Sequence, residues 1–266
     1  MRYSNLHNHT VFSDGKHTME ENVLSALEKN MLSLGFSDHS FTACDTSYCM
    51  KEECYGAYLE ELAALKKAYA DRIPLFAGLE LDYYSQVDQT AFDYIIASVH
   101  YIIKDGVCYP IDHSPKQQQE CIQDAFGGDV LAMARCYYDM LAEHVERTKP
   151  TLVGHFDVIT KFSLMPEADP EYQRIAVDAM KRVLQHCRYI EMNTGGIARG
   201  WRKVPYLSDS LLQVIRENGG EVVLSSDSHH RDNLIFYFDE AVELLRKAGF
   251  DHVSVFNGTG YDICSF

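Results

Sequence analysis

Positive charge is scarce in this sequence: 24 Lys and Arg stand against 39 Asp and Glu in 266 residues, a formal charge of −15 with a pI near 5.2. Such a field repels a phosphate backbone, which excludes a non-specific binder of long nucleic acid. A phosphorylated substrate would have to be attracted locally, by metal cations or by one or two Lys/Arg in a pocket. No stretch approaches the ~18 apolar residues of a membrane span, and the N-terminal segment lacks an apolar run of signal-peptide length. No membrane association is expected, and the location expected is cytoplasmic. There is no Gly/Ser/Pro-rich linker and no low-complexity run, so residues 1–266 are expected to form one domain. Eight cysteines contain no C-x-x-C pair, a pattern that fits reduced thiols better than a disulfide framework. Cys44, Cys49 and Cys54 recur every five residues, as a soft-metal or redox feature or as scattered thiols in a loop and helix start. There is no G-x-S-x-G and no Asp-x-Asp pair at a first strand end, so nothing demands a covalent nucleophile.

What is present is enough for a large core: 46% apolar residues, with 17 Tyr and 13 Phe. Short runs rich in Val, Ile, Leu and Phe alternate with longer helical patterns, the signature of repeated βα units around a parallel sheet. Strands are predicted over 5–9, 34–38, 75–82, 94–100, 152–155, 189–193 and 222–227, with a possible extra strand over 253–256. Thr18 and Glu21 form a capping box before a helix. Further helices are predicted over 60–67, within 121–148 ahead of Pro150, and over 171–186, 208–218 and 233–248, with Gly219 and Gly249 as C-terminal glycines. An α/β barrel commonly reaches ~250 residues as one unit.

The position of the titratable residues is more informative than their number. His7, His9, His39, Glu80, His100, His155, Asp227 and His229 all fall at or just past the C-terminal end of a predicted strand. In a βα barrel those ends converge on one face. A single strand-end histidine is more often structural than a ligand, but six strands delivering imidazole or carboxylate to one rim would be costly without a cation. His7-x-His9 sends two imidazoles to the same side of a strand, and Asp14 follows in the next loop. Gly78-Leu79-Glu80-Leu81-Asp82 offers two same-side carboxylates, Glu80 being the preferred ligand. A donor set of imidazole and carboxylate without thiolate suits Zn, Mn or Fe and disfavours calcium. Nine ligands are too many for one divalent ion and suit two or three.

The motifs His7-Asn8-His9-Thr10 with Ser13-Asp14, Ser37-Asp38-His39, Gly78-Leu79-Glu80, Ser98-Val99-His100, Gly154-His155-Phe156-Asp157 and Ser226-Asp227-Ser228-His229 resemble the polymerase-and-histidinol-phosphatase, or PHP, family. Ser98-Val99-His100-Tyr101 and Asn193-Thr194-Gly195-Gly196 with Arg199 are most similar to its stand-alone histidinol-phosphate phosphatase branch. The resemblance implies a distorted, TIM-like (βα)7 barrel, with the 253–256 strand outside the ring. It also implies a trinuclear centre: one metal on His7, His9, Glu80 and Asp227, a second on Glu80, His100 and His155, and a third on Asp14, His39 and His229. Some relatives place a histidine where this chain has Gly15, which leaves the third site to Asp14, with His17 as second choice.

The reaction implied is hydrolysis of a small phosphomonoester, with L-histidinol phosphate of histidine biosynthesis as favoured substrate and metal-bound hydroxide attacking phosphorus directly. Arg199 and then Lys161 are the candidate phosphate-binding cations, against a reading of both as solvated surface charge. His17 could bind phosphate or protonate the leaving alkoxide, or simply be exposed. Trp201 could line the pocket or serve packing. Competing readings are a nucleotide phosphatase or 3′–5′ exonuclease of the same fold, an amidohydrolase-like C–N hydrolase, and a metal-binding module without turnover.

Overall fold

Each apolar run of the N-terminal half pairs in parallel with the next, because the helices between them carry the chain back across the outside of the sheet. A computed structural model describes residues 2–266. The strands in chain order are β1 (Ser4–Asn5), β2 (Ser33–Phe36), β3 (Leu75–Asp82), β4 (Tyr94–Ser98), β5 (Tyr101–Lys104) and β6 (Val107–Pro110). They continue with β7 (Leu152–Val153), β8 (Tyr189–Asn193), β9 (Glu221–Ser225), β10 (His252–Phe256) and β11 (Tyr261–Ser265). The helices are α1 (Met19–Glu28), α2 (Tyr55–Ala68), α3 (Pro115–Glu120), α4 (Val130–Thr148), α5 (Pro170–Val183), α6 (Gly195–Ala198), α7 (Asp209–Glu217) and α8 (Phe238–Lys247).

Seven parallel strands run in the order β1-β2-β3-β4-β7-β8-β9. The first and last meet at the rim, where His9 N–H donates to the Ser228 carbonyl at 2.8 Å and Ser228 N–H to the His7 carbonyl at 3.2 Å. The expected seven-unit barrel is the observed fold, and β10 lies outside the ring, paired with β11. Among the described residues no helix is long and apolar enough to cross a membrane.

The barrel interior below the rim is filled by Leu6, Phe76, Tyr94, Ile96, Leu152 and Val223, with Phe256 reaching in from β10. The Tyr94 hydroxyl donates towards the carbonyls of Leu6 and Phe36. Its ring lies against the backbone of Gly78, where any Cβ would collide with it. Gly78 is therefore a packing requirement beneath Glu80, one turn of the pleat away from the rim. Outside the sheet, α4, α5 and α7 bury one large apolar layer, and α1 and α2 bury another.

Local differences from the sequence reading have local causes. The capping box at Thr18 forms as expected, with Glu21 N–H donating to Thr18 Oγ1 at 3.2 Å and Thr18 N–H to Glu21 Oε2 at 2.9 Å. The helical pattern of 121–148 is broken, because Gly127 and Gly128 both stand at positive φ, 59° and 88°, and Asp129 caps a fresh start at Val130. Helix α8 begins at Phe238 rather than 233, since Tyr237 stands at φ 64°. The β5–β6 hairpin went unread although its signal was present: Asp105-Gly106, at φ 52° and 80°, is a two-residue turn of the Asp-Gly kind.

Candidate metal centre

The rim residues arrive from seven different segments. His7 and His9 lie just past the two-residue β1, in extended chain bridged at Asn8 to Ser228 rather than inside a longer strand. His39 follows β2 and is bridged to Glu80, which lies within β3. His100 follows β4, His155 follows β7, and Asp227 and His229 follow β9. The loop carrying Asp14 is held by Asp38, whose Oδ1 accepts from the N–H groups of Thr10 at 2.8 Å and Ser13 at 3.1 Å. Asp38 thus ties that loop to β2 while its neighbour His39 faces the site.

Glu80 is the hub. Its Oε2 lies 2.8 Å from His39 Nδ1, 3.2 Å from His7 Nε2 and 3.6 Å from His9 Nε2. Its Oε1 lies 2.9 Å from His155 Nε2 and 3.3 Å from His100 Nε2. Asp227 Oδ1 stands 3.1 Å from His9 Nε2 and 3.7 Å from His7 Nε2. Asp14 Oδ2 stands 3.1 Å from His229 Nε2, and its Oδ1 is 3.7 Å from His39 Nε2. Four overlapping groups have ligand atoms within 4.8 Å of one another: His9, Asp14, His39 and His229; His7, Glu80 and His155; His7, His9 and Asp227; and His39, Glu80 and His100. All nine rim residues fall in at least one group. These groups overlap and cut across the sets implied by the resemblance: His155 groups with His7, His100 with His39, and His9 also reaches the Asp14 group.

Burial acts to raise the Glu80 pKa, but the imidazoles of His7, His39 and His100 hold the carboxyl well below the usual range. Asp227 is held low in the same way, burial being outweighed first by Arg199 and then by His7. Burial, reinforced by His229 and His39, pushes His9 down to about 3, so its imidazole is neutral near pH 7. Burial would lower His7 too, but the carboxylates of Glu191, Glu80 and Asp227 push it well up. The buried carboxylates therefore require positive charge, which Arg199 supplies to Asp227 and imidazole protons supply around Glu80. His7 Nε2, His9 Nδ1 and Glu80 Oε2 are buried without a hydrogen-bond partner, an arrangement costly in the absence of a cation. The residues present fit divalent cations, and the donors are more than one ion can use.

A cavity of about 190 Å³ opens onto this rim, with Lys161, Arg199, Asp112, Tyr48 and Tyr101 on its walls. Lys161 Nζ donates to the Asp112 carbonyl at 2.6 Å and lies 3.1 Å from its Oδ2. Both candidate phosphate-binding cations thus stand in the cavity rather than on the outer surface. His17 does not line it: its Nδ1 faces Glu21 Oε2 at 3.7 Å and its ring packs edge-on to His230. Trp201 is half exposed and packs on Phe162, also away from the cavity.

Sequence reasoning passed over several residues. Asp82, set aside in favour of Glu80, accepts from His100 N–H at 3.0 Å and faces its Nδ1 at 3.3 Å. Glu191 faces His7 from behind, its inward position on a buried strand being the only sequence signal. The expectation of reduced thiols fails for one pair, because Cys44 and Cys108 are joined as a disulfide across 64 residues, while six cysteines are free. The bridge links the loop after β2 to β6, part of the hairpin that the sequence reading did not resolve.

The sequence pattern of the PHP domain family matches residues 5–195; Asp227 and His229 lie beyond it. A curated relative in Deinococcus radiodurans, named "Probable histidinol-phosphatase", is 27% identical over 245 residues, covering 87% of this chain and 88% of its own. The histidinol-phosphatase of Bacillus subtilis is 24% identical over 262 residues, covering 89% and 97%. A crystal structure of histidinol phosphate phosphatase from Lactococcus lactis, complexed with zinc, L-histidinol and phosphate, superposes with a TM-score of 0.74 at 21% identity, covering 98% of this chain and 99% of that one.

Proposed function

Because the chain belongs to the PHP domain family, we propose that it is a metal-dependent phosphomonoesterase that hydrolyses L-histidinol phosphate to L-histidinol and phosphate. The observation that carries the reaction class is the Glu80 hub, one fully buried carboxylate faced by five imidazoles at the mouth of a cavity that also holds two cations. The substrate rests on the relatives, whose curated names are those of histidinol phosphatases along nearly their whole length.

On this reading the nine rim residues, His7, His9, Asp14, His39, Glu80, His100, His155, Asp227 and His229, hold two or three divalent ions. Bound there, such ions would lower the pKa of a coordinated water and brace the attacking and leaving oxygens of an in-line displacement. Arg199 offers a planar donor fork to the equatorial phosphate oxygens, and Lys161 offers a point charge beside it. Tyr48 and Tyr101 line the same cavity. On this reading His17, which does not line the cavity, is left out of the phosphate site.

Residues 1–266 act as one domain on this reading, since the rim needs ligands from both ends of the chain. A cytoplasmic location belongs to the same reading and is supported by the six free cysteines. The Cys44–Cys108 bridge is the feature that argues for an oxidising setting, and its redox state in freshly lysed cells tests the assignment.

The test of substrate is phosphate release from L-histidinol phosphate, nucleoside monophosphates and a single-stranded oligonucleotide, at equal protein concentration. A kcat/KM for histidinol phosphate at least a hundredfold above the others is the expected result. A nucleotide as best substrate would replace the substrate and keep the chemistry; no hydrolysis by metal-loaded protein would overturn both.

A further inference from the structure

Every strand of the barrel except β8 delivers one of the nine rim residues at or beyond its end. What β8 contributes instead is Glu191, whose side chain is completely buried. Its two oxygens lie 2.8 and 3.0 Å from Nδ1 of His7. Oε2 also accepts from the main-chain N–H of His155 at 3.0 Å and from Asn193 Nδ2 at 3.1 Å. Asn193 is itself oriented, since its Oδ1 accepts from Gly195 N–H at 2.9 Å. A carboxylate, which only accepts, is the side-chain group that can serve three such donors at once.

The consequence for His7 is a matter of proton placement. With Nδ1 donating to Glu191, the Nε2 lone pair is directed at the space between Glu80 and Asp227, at 3.2 and 3.7 Å from their oxygens. That nitrogen is buried and has no other partner. We propose that Glu191 is the positioning residue of the metal centre, fixing His7 as its Nδ1–H tautomer and pinning the His155 backbone, so that ligands from two separate segments present Nε2 to the same place. A carboxylate behind a metal-bound imidazole commonly orients the ring and raises its basicity. Here one carboxylate does this for one ligand through its ring and for a second through its main chain. Alternation along β8 accounts for the placement, as Glu191 and Asn193 point inward while Ile190 and Met192 pack outward against the helices.

The inference rests on the rim being a metal centre, and Glu191→Gln separates the two. Glutamine keeps the shape but offers a single accepting oxygen, and its NH2 group would confront N–H donors. Purified wild type and E191Q are stripped, titrated with zinc alone and compared for zinc affinity, while 15N chemical shifts report which His7 ring nitrogen carries the proton in the zinc-loaded proteins. The expected result is a 10- to 100-fold weaker zinc affinity for E191Q, with a zinc-loaded His7 that is no longer uniformly protonated on Nδ1. Equal zinc affinity in two folded proteins would overturn the role of Glu191; failure of wild type to bind zinc would instead overturn the metal reading. Should E191Q not fold, wild type alone decides, because a zinc-loaded His7 that carries no proton on Nδ1 contradicts the proposal.

Discussion

Arg199 grips Asp227 at both ends, Nη2 donating to Oδ2 at 2.6 Å and Nη1 to the main-chain oxygen at 3.0 Å. Asp227 stands at φ 46°, a left-handed conformation that presents carboxylate and carbonyl to the same guanidinium. The arginine is thereby fixed on the cavity wall beside the rim. Removing a preorganised donor of this kind costs about 10²–10³ in rate, so Arg199→Ala is expected to lower kcat/KM for histidinol phosphate by that order. Arg199→Lys should recover only part, because an ammonium cannot reproduce the fork. Unchanged steady-state kinetics in R199A would remove the residue from the site.

Lys161 depends on Asp112 as Arg199 depends on Asp227. Its ammonium is held at the cavity by a carbonyl and a carboxylate of one residue. Lys161→Met removes a charge-assisted hydrogen bond, worth about 1.5–3 kcal/mol, and we expect kcat/KM to fall roughly 10- to 100-fold. The metal content, measured by elemental analysis, should not change, since the Lys161 ammonium pairs with Asp112 and not with a rim carboxylate.

Beneath the rim, Gly78→Ala is expected to destabilise the fold by about 1–3 kcal/mol, the usual cost of overpacking, because the new methyl group meets the Tyr94 ring. Urea unfolding would show a lower midpoint. In the pair Gly78→Ala with Tyr94→Leu the losses should be less than additive, as expected of residues in contact; full additivity would mean that the ring is not what excludes the methyl group.

His252 ties β10 to β9 through Glu221, with Nε2 2.7 Å from Oε2. Its pKa is raised, first by the hydrogen bond to Asp251 and then, against the effect of burial, by Glu221. A histidine raised on folding adds stability that is complete below the unfolded value near ~6.5 and is lost as pH rises through the folded value. For a partly exposed pair the effect is below about 1 kcal/mol. Wild type should therefore exceed His252→Gln in Tm at pH 5.5–6, and the two should converge above pH 8. A constant difference across that range would contradict the ion pair.

Much of this was legible because βα alternation and strand-end placement are local properties. The β3 and β8 spans came out as read, and the capping box at Thr18 and Glu21 formed as its spacing required. The division of ligands among ions was not legible, since His7, His9, His39 and Glu80 each belong to two overlapping groups, and that depends on side-chain geometry across strands. Glu191 escaped notice because nothing in Tyr189–Asn193 distinguishes a carboxylate facing a histidine from one facing solvent. The Cys44–Cys108 bridge was out of reach for the same reason: its partners meet only once the β5–β6 hairpin has folded over the loop that follows β2.

If the rim around Glu80 is a working metal centre, activity must follow the metal it holds. The most direct measurement follows phosphate release from L-histidinol phosphate while metal is removed by a chelator and then restored by titration with zinc, manganese or iron, with bound metal counted at each step. Activity is expected to fall and return in proportion to bound metal and to saturate at two or three ions per chain. Full activity in metal-free protein would contradict it.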